Sequence, residues 1–140
     1  MAVVSMGDMV RGDIQGKPTI GIVDDDESVR LAIGTLLRSV GFETRSFGSG
    51  PDFLLSHRSV RLDCLILDLR MRGMSGLEVQ RMLRELNHPV PVIFVSAHGD
   101  QDARDRAMTA GAVCFLSKPF DEAALLACVG RALGDSPRPA

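Results

Sequence analysis

Acidic residues follow two apolar runs of the sequence, at the point where each run ends. Asp24 and Asp25 come directly after the run 19–23, and Asp68 closes the run 64–68. Carboxylates that lie close together repel one another, and a hard divalent cation with oxygen ligands relieves that repulsion. A positioned carboxylate can also attack a phosphoryl group and form an aspartyl-phosphate. The pattern therefore favours phosphoryl transfer beside a bound Mg²⁺, or Mn²⁺ in its place.

Two further polar residues follow later apolar runs. Ser96 comes after the run 91–95, and Lys118 comes after the run 113–117. Each has a plainer interpretation, because a serine often caps a helix and a lysine often lies in solvent at a strand end. Taken with the acids, however, they complete a set suited to a single reaction. An ammonium group can neutralise the oxygens of a phosphoryl group as it is transferred.

Ligand type and charge assign a role to each residue of this set. Asp24 and Asp25 are predicted to hold the metal, and Asp68 is predicted to be both nucleophile and ligand. The backbone carbonyl of Arg70 is expected to complete the ligands that the protein supplies. Lys118 supplies a fixed positive charge.

An alternation of apolar runs and helical patterns from Pro18 onward predicts the elements that must position these residues. Each run is followed by a helical pattern, which predicts a parallel sheet covered by helices, because right-handed crossovers return every strand in the same direction. The carboxyl ends of all the strands then share one edge of the sheet. The predicted strands are 19–23, 42–47, 64–68, 91–95 and 113–117.

Capping residues and apolar spacing predict the helices. Gly41 is expected to cap the first helix, and Ser75 with Glu78 has the spacing of a capping box that opens the third. The fourth helix, about 102–110, has mostly alanines on its apolar side, which predicts a lightly held element. Asp121 is expected to cap the last helix. The residues predicted to face the sheet from the first helix are Val29, Ile33, Leu36, Leu37 and Val40.

Length and composition limit the possible functions. The chain has 140 residues and a formal net charge of −2, which predicts one domain without the basic stripe of a protein that binds nucleic acid directly. Three cysteines without metal-type spacing predict free, buried thiols. We expect a cytoplasmic protein, because no apolar stretch is long enough to cross a membrane and the start lacks a signal-peptide layout. We expect a flexible leader at 1–17, one domain at 18–134, and a tail or linker at 135–140.

Five motifs resemble, in their order along the chain, the signature of receiver domains of two-component response regulators, over roughly residues 18–133. They are Val23-Asp24-Asp25, Leu67-Asp68, Met74-Ser75-Gly76, Ser96-Ala97 and Lys118-Pro119-Phe120. The segments 96–100 and 111–113 are most similar to the FixJ-like subgroup. The resemblance implies a flavodoxin-like (CheY-like) α/β fold, a doubly wound five-stranded parallel sheet of order 2-1-3-4-5 in a three-layer α/β/α sandwich. It also implies a cis Lys118–Pro119 bond.

The resemblance further implies a phosphoacceptor signalling domain rather than an enzyme. Asp68 is expected to accept a phosphoryl group from a sensor histidine kinase, to take one from small donors when Mg²⁺ is present, and to lose it by autodephosphorylation. Ser96 and Phe115 are the implied switch residues, although a plain core phenylalanine explains Phe115 equally well. The resemblance implies a change at the face formed by the fourth helix, fifth strand and fifth helix. A homodimer through that face, and control of transcription through an output domain not present in this chain, are the expected consequences.

Three positions bear on how this chain differs from the family. Arg72 stands where the family commonly has proline, which predicts a more mobile loop with an added positive charge. The side chains at Arg70 and His98 overhang, in the family, the path by which water reaches the phosphorus. A guanidinium group there is expected to block that path and prolong the phosphate lifetime. The alternative is that both are solvated loop residues.

Other functions stay open at the level of the sequence. A metal-dependent phosphohydrolase of the haloacid dehalogenase type also uses an aspartate after a parallel strand, but it needs a second acid where this chain has Arg70. A nucleotide- or flavin-binding module would need a glycine-rich turn where this chain has acids. A stand-alone receiver and a phosphorelay shuttle are alternatives within the family. A degenerate receiver that only makes protein contacts is disfavoured by the complete set of polar residues.

Overall fold

A computed structural model describes residues 17–97 and 101–135, and within these ranges five strands alternate with five helices. Most of the predicted leader and tail lies outside the described residues. The strands are β1 (Thr19–Val23), β2 (Glu43–Phe47), β3 (Cys64–Asp68), β4 (Val92–Ser96) and β5 (Cys114–Ser117). The helices are α1 (Glu27–Ser39), α2 (Gly50–Ser56), α3 (Gly76–Glu85), α4 (Gln101–Thr109) and α5 (Glu122–Asp135).

The strands form one parallel sheet in the order β2-β1-β3-β4-β5. Ile22 of β1 lies opposite Ser46 of β2 on one side and Ile66 of β3 on the other. Farther along the sheet, Asp68 lies opposite Val95 of β4. The predicted strand order 2-1-3-4-5 is therefore confirmed, and the carboxyl ends of the strands share one edge.

Helices cover both faces of this sheet, which gives the predicted three layers. Helices α1 and α5 pack on one face through a core that includes Ile33 and Val129. Helices α2, α3 and α4 pack on the other face through Phe53, Val79 and Ala107. All the residues of β3 and β4 are buried, as expected of strands covered on both sides.

The helix termini show the predicted capping interactions. The Ser75 hydroxyl accepts a hydrogen bond from Glu78 N–H, and the Glu78 carboxylate accepts one from Ser75 N–H, so the capping box of α3 is confirmed. Asp121 accepts a hydrogen bond from Ala123 N–H at 3.0 Å. Gly41, just beyond α1, has a φ of 101°, a left-handed conformation that glycine adopts without strain.

The apolar stripe of α1 was predicted one residue too long. Ile33 and Leu37 are buried, but Val40 is 49% exposed. Val40 is the C-cap of α1, where the backbone leaves the helical path, so its side chain no longer points along the stripe. The expectation that Val40 faces the sheet was wrong for this reason.

Helix α4 contributes little to the core. Its buried residues are Ala103 and Ala107, and burial of a methyl-sized group stabilises a protein by only about 0.8 kcal/mol. The alanine face predicted for this helix is confirmed. A small shift of α4 therefore breaks few apolar contacts.

The cysteines and the helix lengths agree with the expectations from composition. Cys64, Cys114 and Cys128 are free and buried, and burial raises the pKa of the Cys64 thiol to about 12. Among the described residues, no helix has both the length and the apolar character needed to cross a membrane.

Candidate functional site

Three carboxylates converge at the carboxyl edge of the sheet. Asp24 follows β1 directly, Asp25 comes next, and Asp68 is the last residue of β3. One oxygen from each lies within 4.8 Å of the others. Asp24 and Asp68 are buried, whereas the Asp25 side chain is 28% exposed. The predicted acid cluster is thus assembled, with one member facing solvent.

Backbone groups of the adjoining loops orient the two buried acids. Asp26 N–H donates to Asp24 Oδ1 at 2.9 Å, and Arg70 N–H donates to Asp68 Oδ1 at 3.2 Å. The Arg30 guanidinium donates to the backbone carbonyl of Asp24 at 2.7 Å. Each carboxylate therefore has one oxygen engaged by its own turn and the other directed elsewhere.

Lys118 occupies the gap between the buried acids. Its Nζ donates to Asp24 Oδ2 at 2.8 Å and lies 3.6 Å from Asp68 Oδ2. Lys118 N–H also donates to the Ser96 carbonyl at 2.7 Å, which ties the end of β4 to the residue after β5. Burial works to lower the pKa of Lys118, but the bonds to Asp24 and the charge of Asp68 outweigh it and raise the pKa. The ammonium group therefore stays charged at neutral pH.

The surroundings of Asp68 disfavour the ionised form of its carboxyl group. Burial is the main cause that raises its pKa from 3.8 to about 6, the neighbouring charge of Asp24 adds to the rise, and Lys118 opposes it. Two buried acids, an adjacent third acid and an all-oxygen donor set fit a hard divalent cation, which relieves this kind of repulsion. The residues present are thus compatible with the predicted metal.

The site and the fold together allow the chain to be compared with known proteins. The sequence matches the response regulator receiver domain family over residues 20–130. The chain belongs to this family. The match covers the acid cluster and all the strands apart from Thr19, the first residue of β1, so both the predicted resemblance and the α/β fold are confirmed.

Relatives of this receiver are response regulators of the predicted subgroup. Response regulator protein TmoT of Ectopseudomonas mendocina is 45% identical over 119 residues, which are 85% of this chain and 54% of that protein. Transcriptional regulatory protein FixJ of Rhizobium meliloti is 40% identical over 114 residues, which are 81% of this chain and 56% of that protein. The crystal structure of FixJ-N superposes with a TM-score of 0.81 at 36% identity, covering 88% of this chain and 98% of that one. The chain spans about half the length of the curated relatives it matches.

The two predicted switch residues of the receiver are both buried. Ser96 ends β4, has no exposed surface and lies opposite Ser117 of β5. Phe115 lies opposite Phe94 in the layer that also holds Ala107. This packing is what either a core phenylalanine or a side chain that moves on activation would show. The switch role of Ser96 and Phe115 stays a prediction.

Of the two residues predicted to govern phosphate lifetime, one lies among the described residues. Arg70 is exposed and lines a pocket of about 260 Å³ next to the loop after Asp68, together with Ser75 and Arg106. His98 lies outside the described residues. An exposed cation at position 70 also leaves the receiver without the second acid that the phosphohydrolase alternative requires.

Arg72 makes a contact that the sequence did not predict. Its N–H donates to Asp25 Oδ2 at 3.2 Å, and its Nε lies 3.7 Å from the same oxygen while the side chain stays 92% exposed. The predicted extra positive charge is therefore directed at a metal-ligating candidate. Nothing local in the sequence signals this contact, because the two residues are 47 positions apart.

Gly76 allows α3 to begin directly against the end of β3. A Cβ atom at this position would lie 2.4 Å from the Asp68 carbonyl oxygen and 3.0 Å from Leu69 Cα. Real side chains do not tolerate such a distance from backbone atoms. The Gly76 N–H also donates to the Leu69 carbonyl at 2.9 Å. The glycine of the predicted Met74-Ser75-Gly76 motif thus closes the loop that follows the phosphoacceptor candidate.

Proposed function

We propose that this receiver accepts a phosphoryl group on Asp68 from a sensor histidine kinase, with Mg²⁺, or Mn²⁺, held by Asp24, Asp25 and Asp68. The observation that supports the proposal best is the convergence of these carboxylates within 4.8 Å of one another, next to a half-buried ammonium group. The Arg70 backbone carbonyl is proposed as a further ligand. When bound, the metal supplies positive charge that neutralises the phosphoryl oxygens.

Asp68, Lys118 and Asp24 have different roles in the proposed phosphoryl transfer. An oxygen of Asp68 attacks phosphorus and forms the new P–O bond, while the bond from phosphorus to the imidazole nitrogen of the donor breaks. Lys118 holds its proton throughout and offsets the charge on the phosphoryl oxygens. Asp24 keeps Lys118 in place through the 2.8 Å hydrogen bond.

The domain is proposed to act within a longer signalling protein. We assign the receiver to 18–134, with a leader before it and a linker or tail from 135 onward. The name of the relative FixJ, a transcriptional regulatory protein, supports control of transcription through an output domain. With a net charge of −2, the receiver itself is not proposed to contact nucleic acid.

Phosphorylation is proposed to change the face formed by α4, β5 and α5. A phosphoryl group adds a charge of about −1.5 to −2 at Asp68. We infer that the Ser96 hydroxyl then bonds a phosphoryl oxygen, and that Phe115 moves into the space this leaves. Because α4 buries only two alanines, it is the element that shifts most easily, and the altered face forms a homodimer.

Acetyl phosphate provides the direct test of the proposed function. With Mg²⁺ and no kinase, the protein is expected to gain one acid-labile phosphoryl group, which intact-mass spectrometry detects as a single adduct. Asp68→Asn is expected to gain none, whereas Asp63→Asn, a matched change just before the start of the same strand, keeps the adduct. An adduct that persists in Asp68→Asn, or none in the wild type with Mg²⁺, contradicts the proposal.

Light scattering on the same samples tests the proposed homodimer. It should show a doubled mass only with the adduct, and an unchanged mass would reject the dimer.

A second prediction concerns the lifetime of the phosphoryl group. Arg70→Asn is expected to speed its loss several-fold, because an amide orients an attacking water whereas a guanidinium obstructs it. His98→Glu should act in the same direction. The measurement is the first-order decay of phosphorylated protein after removal of acetyl phosphate. Arg81→Asn, on the exposed face of α3, is the control and should decay like the wild type. Equal decay in all four proteins would reject a shielding role.

A further inference from the structure

Two histidines lie together at the edge of the sheet opposite the acid cluster. His57 is the C-cap of α2, and His88 follows the end of α3. Their ring centroids are 5.1 Å apart and their planes are nearly perpendicular, at 87°. Both line a cavity of about 780 Å³ whose other walls include Asp63 and Pro91, the residues just before β3 and β4. The proposed phosphorylation chemistry uses neither histidine.

The tautomer of His57 is fixed by its surroundings. Its Nδ1 lies 2.7 Å from the carbonyl oxygen of Leu54, and a carbonyl can only accept a hydrogen bond, so Nδ1 carries the proton. In the neutral ring, Nε2 is then the nitrogen that carries the lone pair. The ring is 7% exposed and cannot turn freely. A histidine held through one nitrogen by a backbone carbonyl is the usual arrangement of a metal ligand.

The position of His88 is fixed by the way α3 ends. Asn87 has a φ of 56°, which turns the chain sharply after the helix. His88 N–H then donates to the Leu83 carbonyl at 2.9 Å, and Asn87 N–H donates to the Arg84 carbonyl at 3.1 Å. Burial, and next the nearby His57, lower the pKa of His88. The imidazole is therefore neutral at neutral pH, which is the form that binds metals.

The ring separation matches that of two imidazoles on one tetrahedral ion. With metal–nitrogen bonds of about 2 Å and tetrahedral angles, the two ring centroids come to lie about 5 Å apart. We propose that His57 and His88 bind a late first-row divalent ion, of which Zn²⁺, Cu²⁺ and Ni²⁺ are the chemically suited members, with water in the remaining positions. Imidazole nitrogen favours these ions over Mg²⁺. The site is thus chemically distinct from the all-oxygen cluster around Asp68.

The charged residues around the cavity set the strength of binding. Arg58 and Arg61 line it and repel a cation, but both are exposed and can extend into solvent. Asp63 attracts a cation, and its Oδ2 accepts a hydrogen bond from Thr19 N–H at 2.9 Å. With two protein ligands and this balance of charge, the ion exchanges with solvent. An ion bound here joins the end of α2 to the connection between α3 and β4.

Calorimetric titration of untagged receiver with Zn²⁺ tests this inference. Excess Mg²⁺ is kept present so that the acid cluster is occupied. The wild type is expected to bind one Zn²⁺ per chain, and His88→Gln is expected to bind it at least about tenfold more weakly. His98→Gln changes the third histidine of the sequence and should bind like the wild type. In the Cu²⁺-loaded wild type, electron paramagnetic resonance should show two nitrogen ligands, and one in His88→Gln.

The outcomes separate this site from the proposed phosphorylation chemistry. Circular dichroism of the metal-free proteins verifies that His88→Gln, which alters a half-buried ring, still folds. Equal Zn²⁺ affinity in the wild type and a folded His88→Gln would overturn the inference, as would a wild type that binds no Zn²⁺. Retention of the phosphoryl adduct in His88→Gln is expected in either case, because the histidines lie at the other end of the strands.

Discussion

Replacing Lys118 with methionine is expected to slow phosphoryl transfer from acetyl phosphate to Asp68 by about 100-fold or more. Loss of one fixed donor that stabilises developing charge typically costs about 10²–10³ in rate. Lys118 is such a donor, because its Nζ lies 3.6 Å from Asp68 and is held by Asp24. Methionine keeps the length and apolar stem of the side chain, so the change removes the charge with little change in packing. The measurement is the rate of adduct formation by intact mass.

Two comparisons distinguish a lost charge from a damaged site. Arg72→Met removes a positive charge that also contacts the acids, but from a side chain that is 92% exposed, and it should alter the rate by less than about threefold. Mg²⁺ titration of Lys118→Met should show binding at least as tight as in the wild type, because the ammonium group competes for the same oxygens. Weakened Mg²⁺ binding together with slow transfer would indicate instead that Lys118 holds the site together. A rate within threefold of the wild type would remove Lys118 from the chemistry.

Asp68→Asn is expected to stabilise the metal-free protein at pH 8 by about 2–3 kcal/mol. The folded-state pKa of Asp68 is about 6, above the ordinary value of 3.8, so the folded protein binds the proton more tightly than the unfolded chain does. Ionisation therefore destabilises the folded state, and the free energy of unfolding falls as pH rises from about 4 to about 6 and then levels off. One pKa unit corresponds to about 1.4 kcal/mol. Asparagine carries no charge at any of these pH values.

Urea unfolding measures the stability difference between the two proteins. It is followed by circular dichroism because the chain has no tryptophan or tyrosine to give a fluorescence signal. In EDTA, the stability difference between Asp68→Asn and the wild type should be largest at pH 8, about half as large at pH 5, and small at about pH 4. Added Mg²⁺ should narrow the difference at pH 8, because it stabilises the wild type by binding the folded state. Asp102→Asn, with a side chain that is 84% exposed, should change stability by less than about 0.5 kcal/mol. An Asp68→Asn protein no more stable than the wild type in EDTA would contradict the raised pKa assigned to Asp68.

The fold was largely predictable because its determinants are local. Strands buried on both faces give continuous apolar runs, and β1 and β3 have the predicted bounds. The Ser75–Glu78 capping box could be predicted because its hydrogen bonds span three residues. The exposure of Val40 could not be predicted from the sequence. Whether the last apolar residue of a helical stripe packs against the core or points outward depends on where the backbone leaves the helix.

The acid cluster was predictable for a topological reason. Parallel strands bring their carboxyl ends to one edge, so acids that follow two strands must lie close together. The contact of Arg72 with Asp25 and the pairing of His57 with His88 had no such signal. Each depends on how loops or helix ends pack in space, and no spacing within one element encodes it. What the sequence leaves undetermined is therefore concentrated in the connections between elements.

The loop after Asp68 has consequences for how receivers of this kind could be altered. The hydrogen bond from Gly76 to Leu69 closes the chain into a ring, and the missing side chain at Gly76 lets that ring rest directly on the backbone of Asp68. The exposed side chains of this loop, Arg70 and Arg72, project from a base that is already fixed, whereas Met71 is buried and Ser75 caps α3. Positions 70 and 72 are therefore where chemistry that tunes metal affinity or phosphate lifetime can be varied while the phosphoacceptor keeps its place. Gly76 defines where this variable part of the loop must end.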